Sequence, residues 1–126
     1  MDNYAAAMSI PVELDSIAVQ LERFATAYLL TTSGEKVKAV AAAPVLEDGR
    51  LRVAGPGRGS LANAGAHPDV TLMWPPTDRT EPAGFTLLVD GTAVADGEDL
   101  LVTPTWAVLH RPAGSDHGPA VPGGCG

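Results

Sequence analysis

The stretch from Leu46 to Pro75, LEDGRLRVAGPGRGSLANAGAHPDVTLMWP, combines strand and turn signals with one short helical segment. Glu47-Asp48-Gly49 predicts a tight hairpin turn, because glycine tolerates the positive φ that such turns need. The returning strand, Arg50 to Ala54, alternates basic and apolar residues, as expected of a strand with one buried face. Gly-Pro-Gly ends this strand, and residues 58 to 66 have the composition of a short helix that Pro68 stops.

The rest of the chain continues this pattern of short strands and turns. Gly91 interrupts the longest extended run, which predicts a bulge or a close approach of two backbones. Pro104 restricts its own strand to an edge or a bend. Together with Arg50–Ala54, the predicted strands are Tyr28–Thr32, Lys36–Leu46, Val70–Trp74, Phe85–Ala95 and Leu100–His110.

An amphipathic helix is predicted ahead of the first strand, from Val12 to Ala27. Apolar residues recur there at helical spacing, and Pro11 suits a first helical turn. One long helix, one short helix and six strands joined by tight turns predict a small antiparallel barrel with helices over its ends. The apolar seam of the long helix consists of Leu14, Ile17, Leu21, Phe24 and Tyr28.

Length and composition limit the class of protein. The 126 residues, 45% hydrophobic and 18% charged, fit one domain, which we place at residues 1–111, followed by a disordered Pro/Gly-rich tail, residues 112–126. A net charge of −7 argues against binding to nucleic acid or to an anionic membrane surface. No apolar run approaches the roughly 20 residues that cross a bilayer. The start lacks a signal-peptide pattern and Cys125 is the single cysteine, so we expect a cytoplasmic protein without an intrachain disulfide.

Basic residues are concentrated in one part of this acidic chain. Between residues 36 and 58, five basic residues stand against two acids, a local charge of +3. They lead into a Gly-Pro-Gly-Arg-Gly-Ser turn and a helix start, which offer guanidinium donors and backbone N–H groups to an anion. From the residues alone two interpretations stay open: an anion site, or solvent-facing strand residues that balance acids elsewhere. The five basic residues are Lys36, Lys38, Arg50, Arg52 and Arg58.

No catalytic constellation is evident in the sequence. The three histidines are far apart and show no zinc-site spacing, and no Gly-x-Ser-x-Gly elbow is present. Trp74 and Trp106 are predicted to be core or interface aromatics rather than cofactor stackers. We therefore predict no metal ligands and assign no catalytic residue.

The quoted stretch resembles the flavin-binding split-barrel superfamily, whose best-known member is pyridoxamine 5′-phosphate oxidase. The family pattern is a hairpin turn ending in glycine, a strand, a basic turn, a short helix, Asn-Pro and a Val-Thr/Ser-Leu strand. The resemblance implies a six-stranded antiparallel split β-barrel with flanking helices, working as a homodimer. The matching positions, in order, are Gly49, Leu51 to Ala54, Arg58-Gly59-Ser60, Leu61 to Ala66, His67-Pro68 and Val70-Thr71-Leu72, with Val89 to Ala93 resembling a later family strand.

The resemblance implies FMN at the dimer interface, with its phosphate held by a basic strand residue and by the turn that opens the short helix. Lys38 corresponds to the phosphate-binding arginine of the family's strand. Thr86 corresponds to a polar position through which the partner subunit reaches the flavin ring. The other implied contacts are the backbone of Val53, Ala54 and Gly55 along the ring, and Arg58, Gly59 and the Ser60 hydroxyl at the phosphate.

The chain departs from the oxidase at three places. One is the basic turn, where Arg58 alone stands for a pair of basic residues. Ala43 stands where the oxidase has the lysine that holds its substrate's phosphate, and the C-terminal arginine/histidine motif is absent. The resemblance therefore implies a flavin-dependent oxidoreductase with a substrate other than pyridoxamine phosphate. A deazaflavin coenzyme instead of FMN, a non-enzymatic ligand-binding protein and a protein without cofactor stay open as alternatives. Arg50 and Arg52 are expected on the outer face of their strand, in contact with solvent or a tail carboxylate.

Overall fold

One antiparallel sheet accounts for most of residues 8–113, the part of the chain that the computed structural model describes. Two α-helices, α1 (Ile17–Leu21) and α2 (Arg58–Ala66), accompany the eight strands found in this range. The strands are β1 (Met8–Pro11), β2 (Ala27–Ser33), β3 (Lys36–Ala42), β4 (Val45–Glu47), β5 (Arg50–Val53), β6 (Asp69–Trp74), β7 (Thr86–Asp96) and β8 (Asp99–Arg111).

The strands follow the order β3-β2-β6-β7-β8-β5-β4, and β1 pairs with β8. β8 has two partners on one edge, because β5 pairs with its residues 100–102 and β1 with its residues 108–111. Pro104 lies between these two partners and opposite Gly91, next to the register shift that follows Asp90. The predicted bulge at Gly91 is thus confirmed, and Pro104 lies where it costs few ladder hydrogen bonds.

The core lies on the inner face of the sheet. Leu29, Leu72, Val89 and Ala107 form one cross-strand row over β2, β6, β7 and β8, and all four side chains are fully buried. Alternate residues of these strands point outward, as the period of two requires. The buried residues Ile17, Phe24 and Ala64 add the two helical segments to the same core.

The predicted helix from Val12 to Ala27 is wrong in extent. The chain forms a 3₁₀ turn at Leu14–Ser16, then α1, and α1 ends at Leu21. The carbonyl of Arg23 accepts a hydrogen bond from Thr80 Oγ1 at 2.9 Å, a partner 57 residues away. After Leu21 the backbone bonds are of the 3₁₀ type, from Arg23 N–H to the Gln20 carbonyl and from Phe24 N–H to the Leu21 carbonyl, and the chain then enters β2.

The expected count of six strands is too low by two. The predicted strand Lys36–Leu46 is divided into β3 and β4, which lie at opposite ends of the strand order. Pro44 lies between them, where it has no N–H to offer a ladder. The other additional strand, β1, was not predicted and depends on its pairing with β8.

The stretch from Leu46 to Pro75 folds largely as predicted. Asp48 and Gly49 both have positive φ values, +52° and +80°, and form the turn between β4 and β5. The short helix has the predicted bounds, and His67 is its C-cap. Gly57 occupies the N-cap position, and Ser60 lies within the first turn.

Two further expectations concern location and the chain ends. No helix among residues 8–113 is long and apolar enough to cross a membrane. The expected domain reaches back to residue 1, and the expected tail includes Cys125. Both ends lie outside the described residues.

Candidate functional site

The turn that leads from β5 into α2 leaves the start of the helix open. Gly55 and Gly57 have φ values of +51° and +100°, which residues other than glycine rarely adopt. Gly57 is the N-cap, and as a glycine it makes no side-chain capping hydrogen bond. The first intrahelical bond runs from Leu61 N–H to the Gly57 carbonyl, so the preceding N–H groups of the first turn have no partner within the helix.

Lys38 reaches this helix start from the neighbouring edge of the sheet. It lies directly opposite Thr31 in the β2–β3 register, and therefore on the same face as that fully buried residue. Thr31 is covered by α2, since its hydroxyl accepts a hydrogen bond from Asn63 Nδ2 at 3.1 Å. Lys38 Nζ lies 2.5 Å from the position that a Cβ on Gly59 would occupy. The lysine ammonium thus rests against the first turn of α2.

Arg58 is the second cation at the same helix end. It is exposed and lines an open cavity of about 270 Å³ together with Gly55, Gly57, Leu61 and Glu98. Within residues 8–113 the side-chain ion pairs all involve Arg52, so neither Lys38 nor Arg58 is neutralised by a carboxylate there. The structure therefore brings these two predicted residues to one end of one helix.

Ser60 is buried, unlike a residue that contacts a phosphate from the protein surface. The residue is 1% exposed, and its Oγ has no hydrogen-bond partner within the described part of the chain. A buried hydroxyl without a partner costs free energy, about 1–3 kcal/mol for a typical group. This orphaned hydroxyl in the first turn of α2 is consistent with a site that is completed by a ligand.

The segment Val53 to Gly55 connects the core to this helix start. Val53 is buried as a whole, 1% exposed, and pairs with Leu100 of β8, whereas Ala54 and Gly55 are exposed beyond the end of β5. The Gly55 N–H donates to Asp99 Oδ1 at 3.1 Å. One backbone donor of this segment is therefore already used.

Thr86 lies apart from the other predicted residues. It is the first residue of β7 and is half-exposed next to the fully buried Leu87, which places it on the outward face of the sheet. Its register partner is His110. The structure gathers Lys38, Arg58, Gly59 and Ser60 at α2 and leaves Thr86 on a different surface.

Arg52 is on the outer face of β5, as expected. Among residues 8–113 its guanidinium pairs with Glu47 at 3.0 Å, Asp96 at 3.0 Å and Asp99 at 3.1 Å, and the expected contact with a tail carboxylate falls outside the described residues. The hydrogen bonds to Glu47, Asp96 and Asp99 raise the pKa of Arg52 above its already high ordinary value. Arg52 is thus committed to these acids and is not a free anion ligand.

Sequence reasoning missed four residues around this site. Leu61 and Glu98 line the cavity, Asn63 fixes α2 to β2, and Asp99 holds the Gly55 backbone. In the sequence, Glu98 and Asp99 look like ordinary acidic residues of a turn. No local pattern connects them to a loop 44 residues earlier.

The chain has relatives among curated proteins. It is 35% identical over 131 aligned residues to an uncharacterized protein of Mycobacterium bovis and to one of Mycobacterium tuberculosis, and the match covers 90% of this chain and 89% of each relative. No family model matches the sequence. At this identity and coverage, the chain belongs to the same family as these two mycobacterial proteins.

Solved structures with the same fold carry flavin-related names. A FAD-binding protein of Mesorhizobium loti and one of Mycobacterium smegmatis each superpose with a TM-score of 0.61, at 11% and 15% identity, covering 83% of this chain and 98% of each neighbour. A protein of Listeria innocua described as a candidate pyridoxamine 5′-phosphate oxidase has a TM-score of 0.54 at 14% identity, covering 74% of this chain and 92% of its own. The fold is therefore the split barrel of the superfamily that the sequence resembles.

Proposed function

We propose that this protein binds a flavin, holds the phosphate of FMN at the start of α2 and acts as an oxidoreductase. The observation that carries the proposal is the Lys38 ammonium beside Gly59, at an uncapped helix start that also bears Arg58. Two cations that pair with no carboxylate of residues 8–113, together with the N–H groups of a helix N-terminus, suit a phosphate dianion. The two FAD-binding neighbours support a flavin as the cofactor class.

Each group at the helix start has a distinct part in holding the phosphate. Arg58 supplies forked guanidinium donors, whereas Lys38 is a point charge on a flexible stem that can follow the ligand. Gly59, which has no Cβ, leaves the space that the Lys38 ammonium occupies. Ser60 Oγ, which is buried and has no hydrogen-bond partner among the residues that the structure describes, can donate once an acceptor is close. Charge-assisted bonds of this kind contribute about 1.5–3 kcal/mol each.

The rest of the binding energy has to come from the flavin ring. Micromolar affinity corresponds to about 8 kcal/mol, which is more than two phosphate contacts supply. We assign the ring contacts to the backbone of Val53, Ala54 and Gly55, which leads from the buried end of β5 toward α2. When bound, the flavin supplies the electron and hydride chemistry, so the protein has to bind and orient it rather than provide an acid or a base.

A second copy of the chain is the partner we propose for the outward face of the sheet. An apolar row crosses this face, and the half-exposed Trp106 lies in the next row, opposite Asp90. Continuous apolar rows and exposed aromatic residues are typical of interfaces rather than of monomer surfaces. Thr86 lies on the same face, where a partner subunit would meet it. The row consists of Ala41, Tyr28, Met73, Leu88, Val108 and Pro11.

A visible absorption spectrum of the purified protein, before and after FMN is added, tests the cofactor. We expect a flavin spectrum that stays with the protein through gel filtration, with one FMN per chain. Parallel titrations with FAD and with a deazaflavin test the other cofactors. Uptake of the deazaflavin alone would assign the alternative coenzyme, and a protein that takes up none of the three contradicts the proposal.

Catalysis is tested separately from binding. Reduction of the bound flavin by a nicotinamide donor, followed by its reoxidation on adding candidate acceptors, is the behaviour of an oxidoreductase. A protein that binds FMN but does not turn over with any donor is instead a non-enzymatic flavin binder. Pyridoxamine phosphate serves as the negative control, because Ala43 replaces the lysine that the oxidase uses for its phosphate.

A further inference from the structure

The carboxylate of Asp99 joins two parts of the molecule that are remote in sequence. Asp99 Oδ1 accepts the Gly55 N–H at 3.1 Å, and Asp99 Oδ2 accepts from Arg52 Nη1 at 3.1 Å. Asp99 opens β8, whereas Gly55 lies in the turn between β5 and α2. One side chain thus ties the start of β8 to the backbone that precedes the candidate phosphate site.

Arg52 fixes the orientation of this carboxylate. Its Nε and Nη2 are held by Glu47 and Asp96, so the guanidinium is bound at three points and is 28% exposed. The remaining donor, Nη1, points at Asp99. Because the arginine is held from the β4–β5 and β7–β8 hairpins, Asp99 is held in place as well.

The turn that Asp99 contacts needs an anchor. Gly55 and Gly57 both have positive φ, and glycine loses more conformational freedom on ordering than any other residue. Gly55 is only three residues from Arg58, and both line the same cavity. A hydrogen bond that fixes the Gly55 backbone therefore also fixes the start of α2 and the position of Arg58.

We propose that Asp99 is a positioning residue for the cofactor, which preorders the Gly55–Gly57 turn before the flavin phosphate arrives; this inference rests on the proposed function. Simple electrostatics predicts the opposite effect, since a carboxylate near an anion site should weaken binding. Arg52 offsets only part of that charge, because its guanidinium also faces Glu47 and Asp96, and the ordering of the turn outweighs the repulsion that remains. A preordered site binds more tightly because the ligand does not have to supply the ordering free energy.

Asp96 provides the matched control. Asp96 and Asp99 each give one carboxylate oxygen to Arg52, at 3.0 and 3.1 Å, but only Asp99 also accepts the Gly55 N–H. Asp99→Ala and Asp96→Ala therefore remove the same charge from the same cluster. The two variants differ in the contact to the turn, so Asp99→Ala should also lower the thermal unfolding midpoint somewhat more than Asp96→Ala does.

FMN titration of the two variants, with amide exchange at Gly55 in the flavin-free protein, tests the inference. We expect Asp99→Ala to weaken FMN binding by about tenfold and to speed exchange at Gly55, whereas Asp96→Ala, which keeps the Asp99 contacts to Arg52 and to Gly55, changes both much less. Equal or tighter FMN binding by Asp99→Ala, or unchanged exchange at Gly55, overturns it. A wild-type protein that binds no flavin contradicts the proposed function itself, and the exchange measurement still shows whether Asp99 holds the turn.

Discussion

Lys38 Nζ occupies the space beside Gly59 that a side chain would fill, 2.5 Å from the Cβ position. The lysine comes from β3 and the glycine from the first turn of α2, and they meet because α2 packs over β2 at Thr31. The absence of a side chain at residue 59 is therefore linked to the position of a cation. A mutation of Gly59 should therefore change the stability of the protein and its affinity for the cofactor in different directions.

Gly59→Ala should stabilise the protein and weaken FMN binding. Alanine is the better helix former by up to about 1 kcal/mol, and the end of a lysine side chain can move aside at little cost. The displaced ammonium, however, no longer lies at the phosphate position, so we expect affinity to fall by about threefold to tenfold. Urea denaturation and FMN titration measure the two effects.

Gly65→Ala is the control for that substitution. Gly65 lies in the same helix, and a Cβ there meets nothing within 4 Å. It should give a similar gain in stability with unchanged FMN affinity. If both alanine variants bind FMN as well as the wild type does, Lys38 has no role at the phosphate.

Arg58→Ala should weaken FMN binding by at least about tenfold, which corresponds to about 1.4 kcal/mol. Arg50→Ala should do much less, since Arg50 is exposed on the outer face of β5 and lies outside the cavity that Arg58 lines. Isothermal titration of both variants under one salt concentration gives the comparison. Equal losses would indicate a general effect of net charge rather than a defined site.

Leu88→Asp should convert the proposed dimer into a monomer without unfolding the chain. Leu88 lies in the middle of the apolar row, between Met73 and Val108, and a buried carboxylate at an interface is strongly unfavourable. Light scattering coupled to gel filtration should show a fall from about twice 12.9 kDa to 12.9 kDa. Circular dichroism checks that the sheet remains.

Val19→Asp is the matched control for the dimer, because Val19 is an exposed apolar residue of α1 rather than of the sheet face. We expect it to leave the mass unchanged. A wild-type protein that is monomeric at micromolar concentration would falsify the assignment of this face to a second copy.

Gly91→Ala should destabilise the fold by about 1–3 kcal/mol, the usual range for overpacking. A Cβ there would lie 2.5 Å from the Thr103 carbonyl oxygen and 2.6 Å from Val102 Cγ1. The carbonyl belongs to the backbone of β8, which cannot move aside as a lysine terminus can. Chemical denaturation measures the loss, and a stability equal to that of the wild type would mean that the bulge can relax.

The candidate site was only partly predictable from the sequence. The density of basic residues near a Gly-rich turn indicated an anion site, and the structure brings Lys38 and Arg58 to one helix end. Arg52, which is just as basic, is instead bound by three carboxylates. Charge composition cannot separate a free arginine from a neutralised one, because the partners of Arg52 include residues 44 and 47 positions away.

The sequence by itself determined the elements whose signals are local. The Asp48-Gly49 turn, the bounds of α2 and the bulge at Gly91 all follow from conformational preferences of a few adjacent residues. Such preferences depend on neighbouring residues and not on tertiary contacts, so they can be inferred from the sequence.

Only the tertiary structure decided where α1 ends, that β3 and β4 lie at opposite ends of the strand order, and how the turn at Gly55 is held. The carbonyl of Arg23 is satisfied by Thr80, and the N–H of Gly55 by Asp99, across 57 and 44 residues. Each backbone group had a nearby alternative partner, in a longer helix or in water. Which partner each group takes depends on the distant side chain that the folded sheet brings within about 3 Å. These side chains come close only when the barrel has formed.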